Sequence, residues 1–164
     1  MSNNLNRMLQ LVDDFFSVKD NPSQLEVTDD VLETLAKLHP GTLSEYSDVD
    51  GPVCWILMIP TSEQTMELFL NDKISESDIL NLSINKKSID AIYLCSAIVL
   101  PEFRNKGIAK QLSIDAIKKM QFDFPIKTLY TWPFSEAGKS LANSIATTVD
   151  LPIKFKLKGS RHLI

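Results

Sequence analysis

A long apolar run that leads through a short polar loop into an amphipathic segment constrains the fold of this chain more than any other feature. Residues 91–100, AIYLCSAIVL, are rich in Ile, Val and Leu, which indicates a strand buried on both faces of a sheet. Pro101 follows and ends the strand, because it has no N–H to donate. From Gly107 onward the apolar residues recur at helical spacing on one face: Ile108, Ala109, Leu112, Ala116, Ile117 and Met120. The unit is therefore strand, loop, helix.

The loop before this predicted helix has the features of an anion-binding site. A helix start leaves backbone N–H groups without intrahelical partners, and the helix dipole adds partial positive charge there. Gly107 has no side chain to obstruct a ligand, and Arg104 and Lys106 add formal positive charge. Each dipole contact contributes only about 0.3–1 kcal/mol, whereas micromolar affinity needs about 8 kcal/mol. A phosphate-bearing ligand held here must therefore continue along other surfaces.

The segment VLPEFRNKGIA resembles the acetyl-coenzyme A binding motif of the GCN5-related N-acetyltransferases, R/Q-x-x-G-x-G/A. Pro101, Arg104, Gly107 and Ala109 occur in the order of that motif, between a buried strand and an amphipathic helix. Two other common phosphate-binding loops do not fit, because the chain has no G-x-x-x-x-G-K-[ST] and no G-x-G-x-x-G with an acidic residue further on. The alternative is an ordinary solvated loop between a strand and a surface helix.

The resemblance implies a fold, a cofactor and an activity. The expected fold is α/β, a single domain over residues 1–164 with a mixed, centrally splayed sheet and helices on both faces. The expected activity is transfer of an acetyl or other acyl group from acetyl-coenzyme A to an amine of a small molecule or peptide. By the same resemblance, backbone groups of Ala97, Ile98 and Val99 would hold the pantetheine and the thioester carbonyl. The pyrophosphate would be surrounded by Arg104, Asn105, Lys106, Gly107, Ile108, Ala109 and Lys110.

The catalytic acid of the family has no clear counterpart in this chain. Family members commonly open the next helix with Asn and place a Tyr seven residues on, which protonates the departing thiolate of coenzyme A. Here residues 127–132 predict a strand that ends at Pro133, and Ser135 is a good N-cap for the following helix. If Ser135 is aligned with that Asn, Ala142 falls at the Tyr position. Ser135 is then the nearest hydroxyl for the thiolate.

Other roles and other functions remain open. Asp90 and Tyr93 could serve as a base or in a water relay, and are equally well explained as a strand start and a core aromatic. Ala142 in place of the Tyr supports a second hypothesis, a protein that binds acyl-coenzyme A without catalysis and acts as a sensor or interaction module. A purely structural domain is the third hypothesis.

Before the motif, the chain predicts four helices, of which the first two fit the order of the family and the last two lie where the family usually has tight turns between strands. Residues 5–18 and the segment from Thr28 to Leu38 predict two amphipathic helices, the first of them ended by Asn21-Pro22. A weak strand and a strongly apolar one at residues 53–59, ended by Pro60, follow. The segment from Pro60 to Lys87 then predicts two more helices, with cap pairs Thr61/Gln64 and Ser75/Asp78.

After the motif, the chain ends in an alternating segment. Ile153, Phe155 and Leu157 alternate with Lys154, Lys156 and Lys158, which predicts a half-buried edge strand with a solvated row of lysines. An anionic-ligand surface is the alternative for these lysines. In the N-terminal half, a set of aromatic and Met side chains is interpreted as core in preference to a substrate pocket: Trp55, Met58, Met66 and Phe69.

Composition and charge exclude some classes of function. A net charge of −4 and a sequence pI of about 5.2 argue against a nucleic-acid binder. Cys54 and Cys95 lie in apolar runs and predict buried thiols, with no disulfide framework and no metal-ligand spacing. His39 and His162 are far apart, so no metal site is expected. No signal pattern or bilayer-length apolar run is present, so we expect a cytoplasmic protein without membrane contact. The sequence is compatible with a homodimer and leaves the oligomeric state open.

Overall fold

Five strands form one mixed sheet in the computed structural model, which describes residues 3–16, 28–84, 88–133 and 135–157. The strands follow one another across the sheet in chain order: β1 (Leu43–Asp48), β2 (Gly51–Thr61), β3 (Ala91–Val99), β4 (Thr128–Thr131) and β5 (Ile153–Phe155). The first three are antiparallel, and β3, β4 and β5 are parallel to one another. The described residues also form six α-helices: α1 (Asn3–Phe16), α2 (Asp29–Leu38), α3 (Glu63–Leu70), α4 (Glu76–Ile84), α5 (Ile108–Asp123) and α6 (Glu136–Val149). The predicted α/β class is confirmed.

Helices cover both faces of the sheet, as the sequence predicts. On one face α1, α5 and α6 pack around a core that includes Met8, Ile117 and Ile145. On the other face α2, α3 and α4 pack around Leu35, Phe69 and Ile79. Since β3 lies between β2 and β4, its side chains enter both cores, which explains why its sequence is continuously apolar.

Most predicted element boundaries are confirmed. Thr28 caps α2 and accepts a hydrogen bond from the Val31 amide at 3.3 Å. Ser75 and Asp78 form the predicted reciprocal cap at the start of α4. The predicted end of the first helix at Asn21-Pro22 lies outside the described residues, as do Lys87, Lys158 and His162.

The predicted cap of α3 is wrong by one residue. Ser62, and not Thr61, is the N-cap, and its Oγ accepts from the Thr65 amide at 3.1 Å. Thr61 still belongs to β2, where it lies in register with Ala91. The predicted partner Gln64 therefore lies in the first turn of the helix, one position before the residue that bonds the cap.

The predicted strand end at Pro60 is also wrong, because β2 continues through this proline to the next residue. Pro60 lies opposite Ile92 of β3. The amide of Met58 donates to Thr42 O at 2.9 Å, so Met58 and Pro60 both turn their backbone nitrogen away from β3. Since β1 begins only at Leu43, nothing in the sheet needs an N–H from Pro60.

The predicted alternation of the last strand fails at Lys156. β5 is an edge strand, as predicted, but the side chain of Lys156 is 5% exposed, whereas Leu157 is 70% exposed. The ammonium of Lys156 donates to Phe69 O at 2.9 Å, pairs with the Asp72 carboxylate and lies 4.7 Å from the centroid of the Phe69 ring. These partners lie at the end of α3, so a long-range contact overrides the local pattern.

Predicted core residues are buried with one exception. Cys54 and Cys95 are buried free thiols, and burial raises the pKa of Cys54 to about 11. Met58, Met66 and Phe69 are likewise buried, as predicted. Trp55 is partly exposed, and its indole N–H donates to Glu45 at 2.7 Å. Within the described ranges, no helix has the length and apolar character needed to cross a bilayer.

Candidate functional site

A cavity of about 780 Å³ opens where β3 and β4 part. The two strands pair only from Ala91 to Leu94 of β3, and the Thr131 hydroxyl closes the last pair by donating to Leu94 O at 2.7 Å. Beyond this point β3 continues with β2 alone as its neighbour. The described residues that line the cavity come from this part of β3, from the loop into α5, and from α1, β2, β4 and α6.

A bulge accompanies the parting of the strands. The register between β2 and β3 shifts so that Leu94 lies opposite Met58 but Ser96 lies opposite Leu57, with Cys95 as the extra residue. A bulge bends its strand and increases the local twist, which favours separation from the next strand. The cavity lining includes Met58 from one core and Leu57 and Cys95 from the other. The cavity therefore lies between the strands and reaches both faces of the sheet.

The exposed edge of β3 presents backbone hydrogen-bonding groups to this cavity. Leu100 donates its amide to Val53 O at 3.0 Å, so the backbone groups of Leu100 face β2. Because successive residues in an antiparallel strand face alternate neighbours, those of Ile98 also face β2, whereas those of Ala97 and Val99 face the cavity. Of the three residues predicted to hold a ligand by their backbone, Ala97 and Val99 have the required orientation, and Ile98 can offer only its side chain.

The N-terminus of α5 opens into the same cavity. Gly107 is the N-cap residue, with φ 79° in the left-handed region and no side-chain cap. The Gln111 amide bonds Gly107 O at 3.0 Å, so the preceding amides of Ile108, Ala109 and Lys110 have no acceptor within the helix. A Cβ placed on Gly107 would have no atom within 4 Å. The positive end of the helix dipole therefore has open space in front of it.

The predicted cofactor-binding residues lie together, with one exception. All of those between Ala97 and Lys110 line the cavity except Lys106, whose ammonium lies over the Phe103 ring, 5.6 Å from its centroid. Arg104 donates through Nε to Val99 O at 3.0 Å, on the cavity side of β3. This contact ties the loop to the strand edge and uses one of the five N–H groups of the guanidinium.

A further contact holds the loop against α1. The Arg7 guanidinium makes two hydrogen bonds to Glu102, at 2.6 and 2.8 Å. The hydrogen bond from Arg7 is the main reason that the pKa of Glu102 is lowered to about 2. The pairing offsets a negative charge that would otherwise lie two residues from Arg104. Sequence reasoning missed it, since Arg7 and Glu102 are 95 positions apart.

Ser135 and Ala142 lie where the sequence predicts them, and both line the cavity. Ser135 is the N-cap of α6, and its Oγ accepts from the Gly138 amide at 3.0 Å. Ala142 lies two turns further along the helix and is 6% exposed. The cavity wall at this position of α6 is therefore a methyl group.

We expect Ser135→Ala to lower the free energy of unfolding by about 1 kcal/mol, because the helix loses its cap. Ser135→Asn should restore most of this stability, since Asn is an equally good N-cap. Urea denaturation of the three proteins measures the effect, and an Ala variant as stable as the parent would contradict it. If the protein is an acyltransferase, turnover of the Asn variant tests the predicted catalytic role of Ser135, because Asn keeps the cap but lacks a hydroxyl.

Asp90 and Tyr93 have structural partners away from the cavity. Asp90 accepts a hydrogen bond from the Glu63 amide at 2.7 Å, at the start of α3. Tyr93 is fully buried and donates its hydroxyl to the Glu76 carboxylate in the core on the α3 side of the sheet. Neither residue is among those that line the cavity.

The contribution of α1 to the site is not visible in the sequence. Leu11 and Asp14, one helical turn apart, both line the cavity. The helical spacing places Leu11 on the apolar face but gives no reason to select Asp14 among the acidic residues of the chain. Trp132, at the end of β4, is a further lining residue and is 2% exposed.

Comparisons of this chain with protein-family models, with curated proteins and with solved structures found no match.

Proposed function

We propose that the cavity binds acetyl-coenzyme A and that the protein transfers the acyl group to an amine, on a fold like that of the GCN5-related N-acetyltransferases. One observation carries the proposal: the open edge of β3 and the uncapped N-terminus of α5 line the same cavity. Coenzyme A carries phosphates at one end and an extended arm with two amides at the other. Phosphates bind at helix N-termini, and an extended chain with amides can pair with an open strand edge.

The geometry also supports the chemistry of acyl transfer. The neutral amine attacks the thioester carbonyl carbon, the new N–C bond forms as the C–S bond breaks, and the proton lost by nitrogen ends on the thiolate. The products are an amide and the free thiol of coenzyme A. The amides of Ala97 and Val99 face the cavity, where they would donate to the carbonyl oxygen as it gains negative charge. Because the cavity reaches both faces of the sheet, the acceptor can approach from the side opposite the donor.

Calorimetric titration with acetyl-coenzyme A and, separately, with coenzyme A tests the proposal. We expect micromolar dissociation constants for both ligands, since phosphate and amide contacts are shared. Adenosine is the control, because it lacks the pyrophosphate and the arm and should bind far more weakly. Absence of binding at millimolar acetyl-coenzyme A would overturn the proposal.

A second candidate is a sensor or interaction module that binds acyl-coenzyme A without catalysis. The observation that favours it is Ala142, which places a methyl group on the cavity wall where the family has a proton donor. The two candidates differ in thiol release. A transferase should release the thiol of coenzyme A when acetyl-coenzyme A is mixed with some member of a broad amine panel, whereas a sensor should bind the thioester and leave it intact.

A further inference from the structure

A serine of α5 lies on the wall of the cavity, one helical turn past the loop. Ser113 lines the cavity together with Ala109, which is four positions earlier on the same face of the helix. Ser113 is 2% exposed, whereas Ala109 is only partly buried. The cavity therefore narrows from the solvated loop towards Ser113, and the hydroxyl there is largely removed from bulk water.

The Ser113 hydroxyl does not use the partner that a serine within a helix commonly has. Such a hydroxyl can donate to the carbonyl four residues earlier, as the buried Ser83 of α4 does to Ile79 O at 2.7 Å. In the part of the chain that the structure describes, no residue forms a hydrogen bond with the Ser113 hydroxyl. Buried polar groups in native proteins are nearly always paired. We therefore expect a ligand in the cavity to supply the partner of Ser113.

The direction of α5 determines which part of a ligand passes Ser113. The strands β3 and β4 are parallel, so α5, which connects them, runs back antiparallel to both. A ligand that extends from the N-terminus of α5 along the open edge of β3, from Val99 to Ala97, therefore runs in the same direction as α5. Such a ligand reaches Ser113 directly after it leaves the phosphate-binding amides.

The distance along the helix matches one part of coenzyme A. Ser113 lies four residues, or about 6 Å, along the helix axis from Ala109, whose amide is among those that have no acceptor within the helix. In coenzyme A the diphosphate is followed by a carbon that carries a hydroxyl and then by the first amide carbonyl of the arm. These two groups are four and five bonds beyond the phosphorus, or about 5–6 Å at about 1.2 Å per bond of an extended chain.

We propose that the Ser113 hydroxyl binds the hydroxy-amide group with which the arm of coenzyme A begins, and this inference rests on the proposed function. A serine hydroxyl has one donor and two acceptor positions, so it can donate to the amide carbonyl or accept from the hydroxyl of the ligand. Ala97 and Val99 contact the arm from the strand, and Ser113 contacts it from the helix. Together these three residues distinguish coenzyme A from nucleotides that have the same phosphates and no arm.

Binding of two matched ligands tests the inference without any need for turnover. Coenzyme A has the phosphates and the arm, whereas adenosine 3′-phosphate 5′-diphosphate has the same phosphates and ends where the arm begins. We expect Ser113→Ala to weaken coenzyme A binding about tenfold, as for the loss of one hydrogen bond that leaves its partner unpaired. The affinity of the nucleotide should stay unchanged. Calorimetric titration measures both affinities.

Ser83→Ala is the matched control on another helix. Ser83 is also a buried serine, 3% exposed, but its hydroxyl is paired within α4 and it does not line the cavity. This variant should leave the affinity for coenzyme A unchanged. Ser113→Ala should unfold at an equal or higher urea concentration than the parent protein, because Ala favours the helix and the change removes a hydroxyl that has no partner among the described residues.

The outcomes separate the inference from the proposed function. Unchanged affinity of Ser113→Ala for coenzyme A would overturn the inference, as would an equal loss of affinity for both ligands, which would indicate an indirect effect on the cavity. In either case coenzyme A binding by the parent protein still supports the proposed function. If coenzyme A does not bind the parent protein, the proposed function fails, and the inference fails with it.

Discussion

Gly107→Glu should weaken coenzyme A binding by at least about 100-fold, equivalent to about 2.7 kcal/mol. A Cβ at this position meets open space, so the longer side chain would project in front of the first amides of α5. Its carboxylate would then occupy the region proposed for phosphate, and the helix dipole would stabilise this carboxylate in place of the phosphate of the ligand. Titration with coenzyme A measures the loss, and unchanged affinity would rule out the phosphate-binding loop.

Gly107→Asn is the matched control for this variant. Gly107 has φ 79°, so any larger residue there costs about 1 kcal/mol of stability, and Asn tolerates this conformation better than most. The higher helix propensity of Glu gives no gain here, because Gly107 lies before the helix in a left-handed conformation. We expect Asn to retain most of the affinity, and thermal unfolding of both variants separates strain from lost binding.

Asp72→Asn should lower the free energy of unfolding by about 2–3 kcal/mol, because it leaves the buried ammonium of Lys156 without its counter-ion. Asn also adopts the left-handed conformation that Asp72 has, φ 59°, so the change removes charge with little backbone strain. This value lies at or below the lower end of the roughly 3–5 kcal/mol for breaking fully buried pairs, since the Asp72 side chain is 37% exposed. Denaturant unfolding measures the loss.

Removing the ammonium of Lys156 itself should lower the free energy of unfolding far less than Asp72→Asn does. Lys156→Met keeps an unbranched side chain against the Phe69 ring, and the Asp72 carboxylate that it leaves unpaired is 37% exposed and can be hydrated. We therefore expect the free energy of unfolding to change by less than about 1 kcal/mol. Glu67→Gln is the control on an exposed pair, because Glu67 bonds Lys154 at 3.0 Å with both side chains about half exposed. Its effect should stay below about 0.5 kcal/mol. If Asp72→Asn lowered the free energy of unfolding no more than Glu67→Gln does, burial of the Lys156–Asp72 pair would not increase its contribution to stability.

Local signals in the sequence were sufficient where one continuous segment forms the structure. The strand of residues 91–99, the loop and α5 are contiguous, so a change of apolar period and one glycine predict all three. The cap at Ser135 follows from the same kind of local signal. The predicted cofactor residues lie together for this reason, since most of them come from this one segment.

The sequence-based predictions were wrong or incomplete where contacts with a segment distant in the chain determine the local structure. Pro60 remains in a strand because β1 is too short to need its N–H, which only the sheet register reveals. Lys156 is buried because the end of α3 supplies a carboxylate and a carbonyl oxygen. Asp14 reaches the cavity because α1 packs across β2 and β3, and nothing in the periodicity of α1 indicates that contact.

The short pairing between β3 and β4 also affects the stability of the sheet. Among the described residues, four pairs between β3 and β4 join the antiparallel part of the sheet to the parallel part, and the cavity begins where they end. A ligand hydrogen-bonded to Ala97 and Val99 of β3 and packed against α6 would contact both sides of the gap between β3 and β4. A ligand that binds only this folded arrangement would also raise the free energy of unfolding, so occupancy of the cavity would stabilise the junction between the two parts of the sheet.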